Sequence, residues 1–295
     1  MNTTAIAFPS NRFSDVERIF VEVLSPPYGA DEVRTFILML CEAFLGWDRV
    51  AYLLHRSETI NQSDLLRFHW ALEDLKRHRP IQHIVGYADF CDCRIMVNGN
   101  VLIPRPETEE MVRYLVSSFK SQVSSVLDLC TGSGCIAIAL KKKMPWCRVS
   151  AVDISAEALD VARKNAAAND VEVEFIHGDV LSLGPQSLVG GQWDLIVSNP
   201  PYIAESEKSL MQANVLDYEP PKALFVPDAD PLMFYRSITA FAKRHLSANG
   251  LLAMEINERF GQETLRMLRD HGFSGELHKD FRGKDRFVTA VLSSR

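Results

Sequence analysis

Asn199-Pro200-Pro201-Tyr202 is the segment whose residue types and spacing best suit a chemical task. It directly follows the apolar run at residues 195–198, and neither proline can donate a ladder hydrogen bond. Each proline also restricts the residue before it to extended backbone. Strand pairing must therefore end here, with the Asn199 amide and the Tyr202 ring held on stiff backbone. Fixed oxygen acceptors beside an aromatic ring suit the orientation of a planar polar group, although Asn-Pro after a strand is also a common turn.

A glycine-containing turn upstream strengthens the catalytic interpretation. Residues 126–137 have the pattern of an apolar strand, a turn and a helix, in which the glycines would let the backbone turn tightly and approach a ligand. With Ala137 the spacing satisfies G-x-G-x-x-A, so the turn alone does not separate NAD from S-adenosylmethionine, and a turn without ligand stays open. We expect five residues to bind the cofactor: Cys130, Thr131, Gly132, Ser133 and Gly134.

Of three acidic residues near strand ends, Asp128 and Asp179 favour S-adenosylmethionine, whereas Asp153 suits any cofactor that contains adenosine. Asp128 lies four residues before Gly132 and would point a carboxylate toward the ligand, where it would repel a pyrophosphate and attract an ammonium or sulfonium. Asp153 ends the next strand and is placed to accept hydrogen bonds from ribose hydroxyls. Asp179, followed by Val180, suits the adenine amino group. We therefore expect S-adenosylmethionine to be the cofactor.

The elements that must position these residues alternate along the second part of the chain. Strand-like runs are predicted at residues 126–130, 149–154, 171–176, 195–198, 251–256, 276–279 and 287–292, and helices at 134–144, 156–168 and 232–246. Such alternation predicts an α/β fold, a mostly parallel sheet with helices on both faces. The short link between the last two runs predicts an antiparallel pair at the sheet edge. The long connection at residues 203–231 is expected to be functional.

The first 106 residues follow other patterns. Residues 1–80 have helical periodicity and no evident catalytic group, so they form either a packing module or a docking surface for a partner. Between residues 81 and 106, β-like runs at 90–96 and 101–103 flank Asn98-Gly99, which predicts a hairpin turn. We expect a helical substrate-docking domain at 1–80, a β-hairpin connector at 81–106 and the α/β domain at 107–295.

Taken together, VLDLCTGSG, AVDIS, GDVL and SNPPYI resemble the motifs of class I methyltransferases, in order and in spacing. That resemblance implies a seven-stranded, mostly parallel, doubly wound sheet. The Asn-Pro-Pro-Tyr form is similar to that of enzymes that methylate adenine N6, cytosine N4 or a glutamine amide. Residues 103–109 (IPRPETE) and the preceding Val85-Gly86-Tyr87 and Phe90 resemble the HemK family, glutamine N5-methyltransferases of class 1 peptide chain release factors. A relative that methylates a ribosomal protein shares the four motifs, but residues 103–109 are more similar to the release-factor branch.

The resemblance also implies how the proline segment acts. The Asn199 side-chain oxygen and the Pro200 carbonyl would accept the two N–H groups of the glutamine amide in the Gly-Gly-Gln loop of a release factor. Tyr202 would pack its ring against that amide, Pro201 would keep the acceptors rigid, and Asn199 would also contact the cofactor. Cys130 stands where the family usually has glycine, for which we expect a modest adjustment of cofactor packing.

Three further residues resemble family positions, and their roles stay open. Arg105 and Glu107 flank Pro106, and they fit either a helix start or a contact near the active site. Glu219 belongs to Asp217-Tyr-Glu-Pro-Pro221, which is similar to the family's loop over the substrate.

Composition excludes several other classes. The net charge of −6 and the lack of a basic face disfavour nucleic acid as a partner, and a DNA adenine-N6 methyltransferase would have to flip its base and grip phosphates. The six cysteines and eight histidines show no metal spacing, so we expect no metal. With no apolar run of membrane length, we expect a cytoplasmic protein without membrane contact. Because no extended exposed apolar face stands out in the sequence, we expect a monomer. A non-enzymatic S-adenosylmethionine sensor would predict decay of the Asn-Pro-Pro-Tyr motif, which is intact.

Overall fold

The computed structural model describes residues 8–119, 123–182 and 191–293. These residues form two compact units. The first comprises the chain up to Gly86 together with Ala213–Tyr218, and the second comprises Tyr87–Gln212 together with the chain from Glu219. A short piece of the long connection therefore folds with the first unit, although more than a hundred residues separate it from the rest of that unit in sequence.

Helices build the first unit. They are α1 (Phe13–Tyr28), α2 (Ala30–Leu45), α3 (Arg49–His55), α4 (Gln62–Lys76) and α5 (Ile81–Val85). On α1 the apolar residues recur at helical spacing, and Phe13, Phe20 and Leu24 are fully buried, so this face forms the core of the unit. α2 ends at Gly46, whose φ of 68° is the left-handed conformation that glycine adopts without strain.

A β-hairpin opens the second unit, but its turn is not where the sequence predicted it. The strands are β1 (Tyr87–Phe90) and β2 (Cys93–Met96), paired in antiparallel register. The turn consists of Cys91 and Asp92, with φ of 48° and 63°, the conformation that a two-residue hairpin requires. The prediction of a turn at Asn98-Gly99 with a strand at 101–103 is wrong. Val101 and Ile103 are buried in the core and are not paired in a strand.

A seven-stranded sheet forms the centre of the second unit and confirms the predicted fold class. Its order is β10-β11-β9-β6-β3-β4-β5, with β11 antiparallel to both of its neighbours and the remaining pairs parallel. The strands after the hairpin are β3 (Ser125–Leu129), β4 (Arg148–Asp153), β5 (Glu174–His177), β6 (Trp193–Ser198), β7 (Ile203–Ala204), β8 (Phe225–Val226), β9 (Leu246–Glu255), β10 (Phe273–Lys279) and β11 (Asp285–Leu292). β7 and β8 pair separately from the sheet.

Helices cover both faces of this sheet. They are α6 (Pro106–Ser118), α7 (Cys135–Lys143), α8 (Ala156–Ala168), α10 (Met233–His245) and α11 (Gly261–Asp270), while α9 (Ala213–Leu216) belongs to the first unit. On β6, Leu195 and Val197 pack in the core with α6, α7 and α8, whereas Ile196 packs in the core with α10 and α11. Both faces of the strand are buried, which explains its uninterrupted apolar sequence.

The order of the strands determines where a ligand can bind. From β3 the sheet continues to β4 and β5 on one side and to β6 and β9 on the other, so the strand order reverses between β3 and β6. Ligands of open α/β sheets bind at such a reversal, beyond the carboxyl ends of the strands. Leu129 and Ser198 are register partners there. The glycine-containing turn and the Asn-Pro-Pro-Tyr segment therefore leave the sheet side by side.

The long connection after β6 is ordered by short elements. Short 3-10 helices span Glu205–Leu210 and Pro221–Ala223, and the parallel pairing of Ile203 with Phe225 closes the loop at its base. None of the described helices is long and apolar enough to cross a membrane.

Candidate active site

A cavity of about 580 Å³ lies at the carboxyl ends of the central strands. Its walls come from the turn after β3, the ends of β4 and β6, and the residues that follow β5. The segments before α6 and before β8 contribute the remaining wall. It has the size and position of a site for a small cofactor in this class of fold.

The turn after β3 is shaped by positive φ angles. Cys130, Gly132 and Gly134 have φ of 61°, 54° and 81°. A Cβ at Gly134 would lie 3.0 Å from the Ala162 Cβ, so this glycine lets the turn pack against α8, whereas nothing lies within 4 Å of a Cβ at Gly132. All five predicted residues, 130–134, lie in this turn. All of them except Gly134 line the cavity. Cys130 has left-handed backbone although it is not glycine. The replacement of the family's usual glycine by cysteine therefore goes with local backbone strain.

Asp128 lies beneath the turn and does not line the cavity. Its Oδ2 accepts a hydrogen bond from the Thr131 hydroxyl at 2.6 Å and one from the Ala137 amide at 3.3 Å. Its Oδ1 is buried and has no partner among the described residues. Burial raises the pKa of Asp128 from the ordinary 3.8 to about 7. A buried carboxylate below the turn, with one oxygen unpaired among the described residues, fits a cationic ligand better than a pyrophosphate.

Asp153 and Asp179 both line the cavity. Asp153 Oδ2 accepts from the Gly132 amide at 2.7 Å and Oδ1 accepts from the Ser155 amide at 2.9 Å. These bonds fix the carboxylate, and each oxygen keeps a lone pair for a ribose hydroxyl. Asp179 is fixed in the same way by the Leu181 amide at 2.9 Å, beside Val180. The residues present thus fit an adenosine-containing cofactor.

Asn199 and Pro201 line the cavity, whereas Pro200 and Tyr202 do not. Asn199 Nδ2 donates to the Thr108 hydroxyl at 3.1 Å. The Tyr202 hydroxyl donates to Glu255 Oε1 at 2.9 Å, and burial together with Glu255 raises the pKa of Tyr202 well above its ordinary value. The hydroxyl of Tyr202 is therefore committed to the protein interior. Stacking of its ring on a substrate amide stays a prediction.

Sequence reasoning missed Thr108 and Glu255. Thr108 lies in the first turn of α6, and Glu255 ends β9; the Thr108 hydroxyl donates to Glu255 Oε2 at 2.6 Å. Both side chains are buried, and burial raises the pKa of Glu255. The available signal was an acidic residue at the end of an apolar strand.

Arg105 and Glu219 meet at the rim of the cavity. Arg105 Nη2 donates to Glu219 Oε1 at 2.6 Å, and the Ile103 amide donates to Glu219 Oε2 at 3.0 Å. Arg105 lines the cavity and its side chain does not cap α6, which begins with Pro106. Pro106 and Glu107 have the positions of a helix start. Arg105 is thus a rim residue, and Glu107 is a first-turn acid.

Comparison with known proteins gives consistent results along the chain. Residues 107–224 match the family model described as "Methyltransferase small domain", and residues 28–86 match "PrmC N-terminal domain". The chain is 42% identical to a release factor glutamine methyltransferase of Flavobacterium psychrophilum, over 91% of this chain and 95% of that protein. It is 41% identical to one of Bacteroides thetaiotaomicron (95% and 99%) and 36% identical to one of Bacillus subtilis (90% and 92%).

Among solved structures, a methyltransferase from Pyrococcus furiosus matches 69% of this chain and 90% of its own, with a TM-score of 0.50 and 20% identity. At that identity the match supports the fold of the second unit and carries no further argument.

Proposed function

The chain belongs to the family of release factor glutamine methyltransferases, and from this premise we propose that it methylates the side-chain amide nitrogen (N5) of the glutamine in the Gly-Gly-Gln motif of peptide chain release factors. The observation that carries the proposal is the placement of Asn199. It stands at the end of β6, in the wall of the cofactor cavity, on backbone made rigid by two prolines. A planar amide is the substrate that such a fixed acceptor suits.

S-adenosylmethionine is the cofactor, and when bound it supplies a methyl group made electrophilic by the adjacent sulfonium. The turn at 130–134 would hold it against the carboxyl end of β3. Asp153 would accept from its ribose, and Asp179 with Val180 would contact its adenine. Asp128 would contribute negative charge from below the turn. The arrangement resembles a dinucleotide site in outline, but its buried carboxylate disfavours a pyrophosphate.

The residues of the site would act mainly by orientation. An amide nitrogen is a poor nucleophile because its lone pair is delocalised into the carbonyl. The Asn199 Oδ1 and the Pro200 carbonyl would accept its two N–H bonds and hold the amide plane in one direction, which can contribute several kcal/mol. The same acceptors would stabilise the positive charge that develops on the nitrogen. Loss of a proton from the methylated amide is then favourable and requires no strong base.

Transfer of label tests the proposal directly. The purified protein would be mixed with methyl-labelled S-adenosylmethionine and either a recombinant release factor or its Gln→Ala variant in the Gly-Gly-Gln motif. We expect label in the first and none in the second. A ribosomal protein and an adenine-containing DNA duplex serve as further substrates. Label in either of these, without label in the release factor, would overturn the proposal.

We further propose that the helical domain, predicted at residues 1–80, docks the release factor away from the glutamine, and that the protein acts as a monomer in the cytoplasm. Exposed apolar side chains on two helices support a docking surface, because such side chains in groups mark interaction sites. They are Val50, Leu53 and Leu54 on α3 and Leu66 and Trp70 on α4. Light scattering of the purified protein would test the monomer, and a dimer at micromolar concentration would refute it.

A further inference from the structure

Four side chains from distant parts of the chain form one hydrogen-bonded series. It starts at Asn199 and Thr108, which line the cavity, and continues to Glu255 and Tyr202, which do not. Asn199 Nδ2 donates to Thr108 Oγ1, Thr108 Oγ1 donates to Glu255 Oε2, and the Tyr202 hydroxyl donates to Glu255 Oε1. We propose that Thr108 and Glu255 are positioning residues that fix which end of the Asn199 carboxamide faces the substrate. The inference rests on the proposed function, since it assigns the acceptor for the substrate amide.

The direction of each hydrogen bond follows from donor capacity. When Glu255 is ionised it only accepts, so the Thr108 and Tyr202 hydroxyls donate both of its bonds. The single hydroxyl hydrogen of Thr108 then goes to Glu255 Oε2, 2.6 Å away. Only lone pairs of Thr108 Oγ1 then remain for Asn199, which must offer its NH2 group. The Asn199 oxygen is left as the end that faces away from Thr108.

The opposite orientation of the Asn199 carboxamide would be unfavourable for two reasons. A carboxamide rotated by 180° would bring its oxygen against the Thr108 oxygen, two acceptors without a hydrogen between them. It would also present an NH2 group to the N–H bonds of a substrate amide. Thr108 and Glu255 are 2% and 1% exposed, so water has little access with which to satisfy a reversed series.

Glu255 also connects the two polar ends of the Asn-Pro-Pro-Tyr segment. It acts on Asn199 through Thr108 and on Tyr202 directly, and the backbone oxygen of Tyr202 accepts a further bond from Asn257 Nδ2 at 3.1 Å. The segment is thus held by α6 and β9 and does not depend on the prolines alone. A change at Glu255 should therefore disturb both ends, whereas a change at Thr108 should disturb only Asn199.

Substitutions at Thr108 separate orientation from packing. Thr108→Val keeps the shape and removes the hydroxyl, and Thr108→Ser keeps the hydroxyl and removes a methyl group. With a release factor as substrate, we expect Thr108→Val to lower kcat about tenfold or more, the effect of one hydrogen bond linked to a charged group. Thr108→Ser should retain most of the activity. The Kd for S-adenosylmethionine should change little in both. The melting temperature should fall in Thr108→Val, because Glu255 Oε2 loses its donor, whereas equal losses of kcat in both variants would contradict the inference.

A double-substitution cycle identifies the group through which Thr108 acts. In an Asn199→Ala background, Thr108→Val should cause no further loss of kcat, because the residue that it orients is gone. The same fold loss in both backgrounds would show a role independent of Asn199 and overturn the inference. Glu255→Gln, whose NH2 group can donate to Thr108 and so reverse the series, should lower kcat without raising the KM for the release factor.

A spectroscopic readout distinguishes failure of this inference from failure of the proposed function. Side-chain NH2 signals of protein labelled with 15N-asparagine report the Asn199 bond without substrate, and Asn199→Ala assigns the signal. We expect Thr108→Val, but not Thr108→Ser, to shift that signal and speed its exchange with solvent. If the wild type left release factors unlabelled but showed this pattern, the substrate assignment would be wrong and the orienting series would stand. An unshifted signal in Thr108→Val would refute the series itself.

Discussion

Single residues determine what the site can recognise. Asn199 lines the cavity, and no donor among the described residues is hydrogen-bonded to its side-chain oxygen. The Tyr202 hydroxyl is hydrogen-bonded to Glu255, and Pro200 does not line the cavity, so the proposed roles in contacting the amide rest mainly on Asn199 and on the Pro200 carbonyl. Substitution of Asn199 should affect turnover and not cofactor affinity.

We expect Asn199→Ala to lower kcat about 100-fold or more, because a fixed acceptor of developing charge is lost. The Kd for S-adenosylmethionine, measured by calorimetry, should stay within a few-fold of wild type. Asp153→Ala is the contrasting variant: its carboxylate lies in the cofactor wall, so the Kd should rise strongly. Equal losses of turnover and cofactor affinity in Asn199→Ala would place Asn199 in cofactor binding only.

Asp128 should make the stability of the cofactor-free protein depend on pH. Its pKa is about 7 in the folded state and 3.8 ordinarily, so the folded protein holds a proton that the unfolded protein releases. The stabilising contribution of this proton is fully present below about pH 4 and is lost as the pH rises through about 7. Asp128→Asn removes this titration, so its melting temperature should fall less than that of wild type between about pH 5 and pH 8.

The matched control for this change is Asp160→Asn. Asp160 lies on α8 with 70% of its side chain exposed, so its substitution should leave the pH dependence as in wild type. Circular dichroism without cofactor gives both curves. Parallel curves for wild type and Asp128→Asn would contradict the raised pKa.

The residues of the turn after β3 and of the proline motif could be named from the sequence because each set is contiguous and has a recognisable spacing; their roles stay predictions. The sequence did not predict Thr108 and Glu255, which lie 147 residues apart and meet only in the folded chain. An acid at the end of an apolar strand is a signal, but it does not show which distant residue the acid contacts. The same reason applies to the Arg105–Glu219 pair, whose members are 114 residues apart.

At the scale of elements, the predicted helices and strands agree best with the structure where the element is buried. The central strands were predicted because both of their faces are apolar, whereas the edge strands β5 and β10 carry exposed residues. α8 was predicted with both of its ends. The hairpin turn was misplaced because Asn98-Gly99 has the stronger local signal, while Cys91 and Asp92 adopt left-handed backbone with non-glycine residues. Pairing of Phe90 with Cys93 overrode the local preference.

The loop that closes the cavity should depend on Glu219. This side chain is 3% exposed, and it joins the loop before β8 to the Ile103 amide and the Arg105 guanidinium. Glu219→Ala would leave both donors without their acceptor, a loss of about 1–3 kcal/mol. We expect a weaker affinity for S-adenosylmethionine, whose cavity includes Pro220 and Pro221, and faster proteolysis within residues 205–227.

Glu205→Ala is the control for Glu219→Ala. It lies in the same loop, but its side chain is 60% exposed. Its Kd for S-adenosylmethionine and its cleavage rate should match wild type. If both variants bound the cofactor as wild type does, Glu219 would have no part in closing the cavity.

At the scale of the whole molecule, the sequence changes from helical periodicity to strand–helix alternation, and the structure divides the chain into two units. The sequence did not show that residues 213–218 belong to the helical unit, because nothing in this segment resembles the rest of that unit. Within that unit the Tyr218 hydroxyl donates to the Arg77 backbone oxygen at 2.9 Å. Because Tyr218 and Arg77 are far apart in sequence, this contact forms only when the helical unit folds.

The docking proposal predicts a selective effect on substrate affinity. Trp70 is 58% exposed on α4, and Trp70→Ala should raise the KM for an intact release factor roughly tenfold, as is usual for an aromatic interface residue. A short Gly-Gly-Gln peptide, which cannot reach a separate docking surface, should react equally with both proteins. Trp146→Ala is the control, since Trp146 is 57% exposed in the second unit. Equal KM values for the release factor in wild type and Trp70→Ala would refute a docking role for Trp70.

The orientation of Asn199 has a consequence for damaged translation factors. Glutamine next to glycine can lose ammonia and become glutamate, which brings two negatively charged oxygens where the amide brought hydrogens. The two proposed acceptors, the Asn199 oxygen and the Pro200 carbonyl, would repel that group, so we expect a deamidated loop to be neither modified nor retained. An excess of Gly-Gly-Glu peptide should leave methylation of the Gly-Gly-Gln peptide unchanged, and inhibition would mean that a hydrogen-bond donor faces the site.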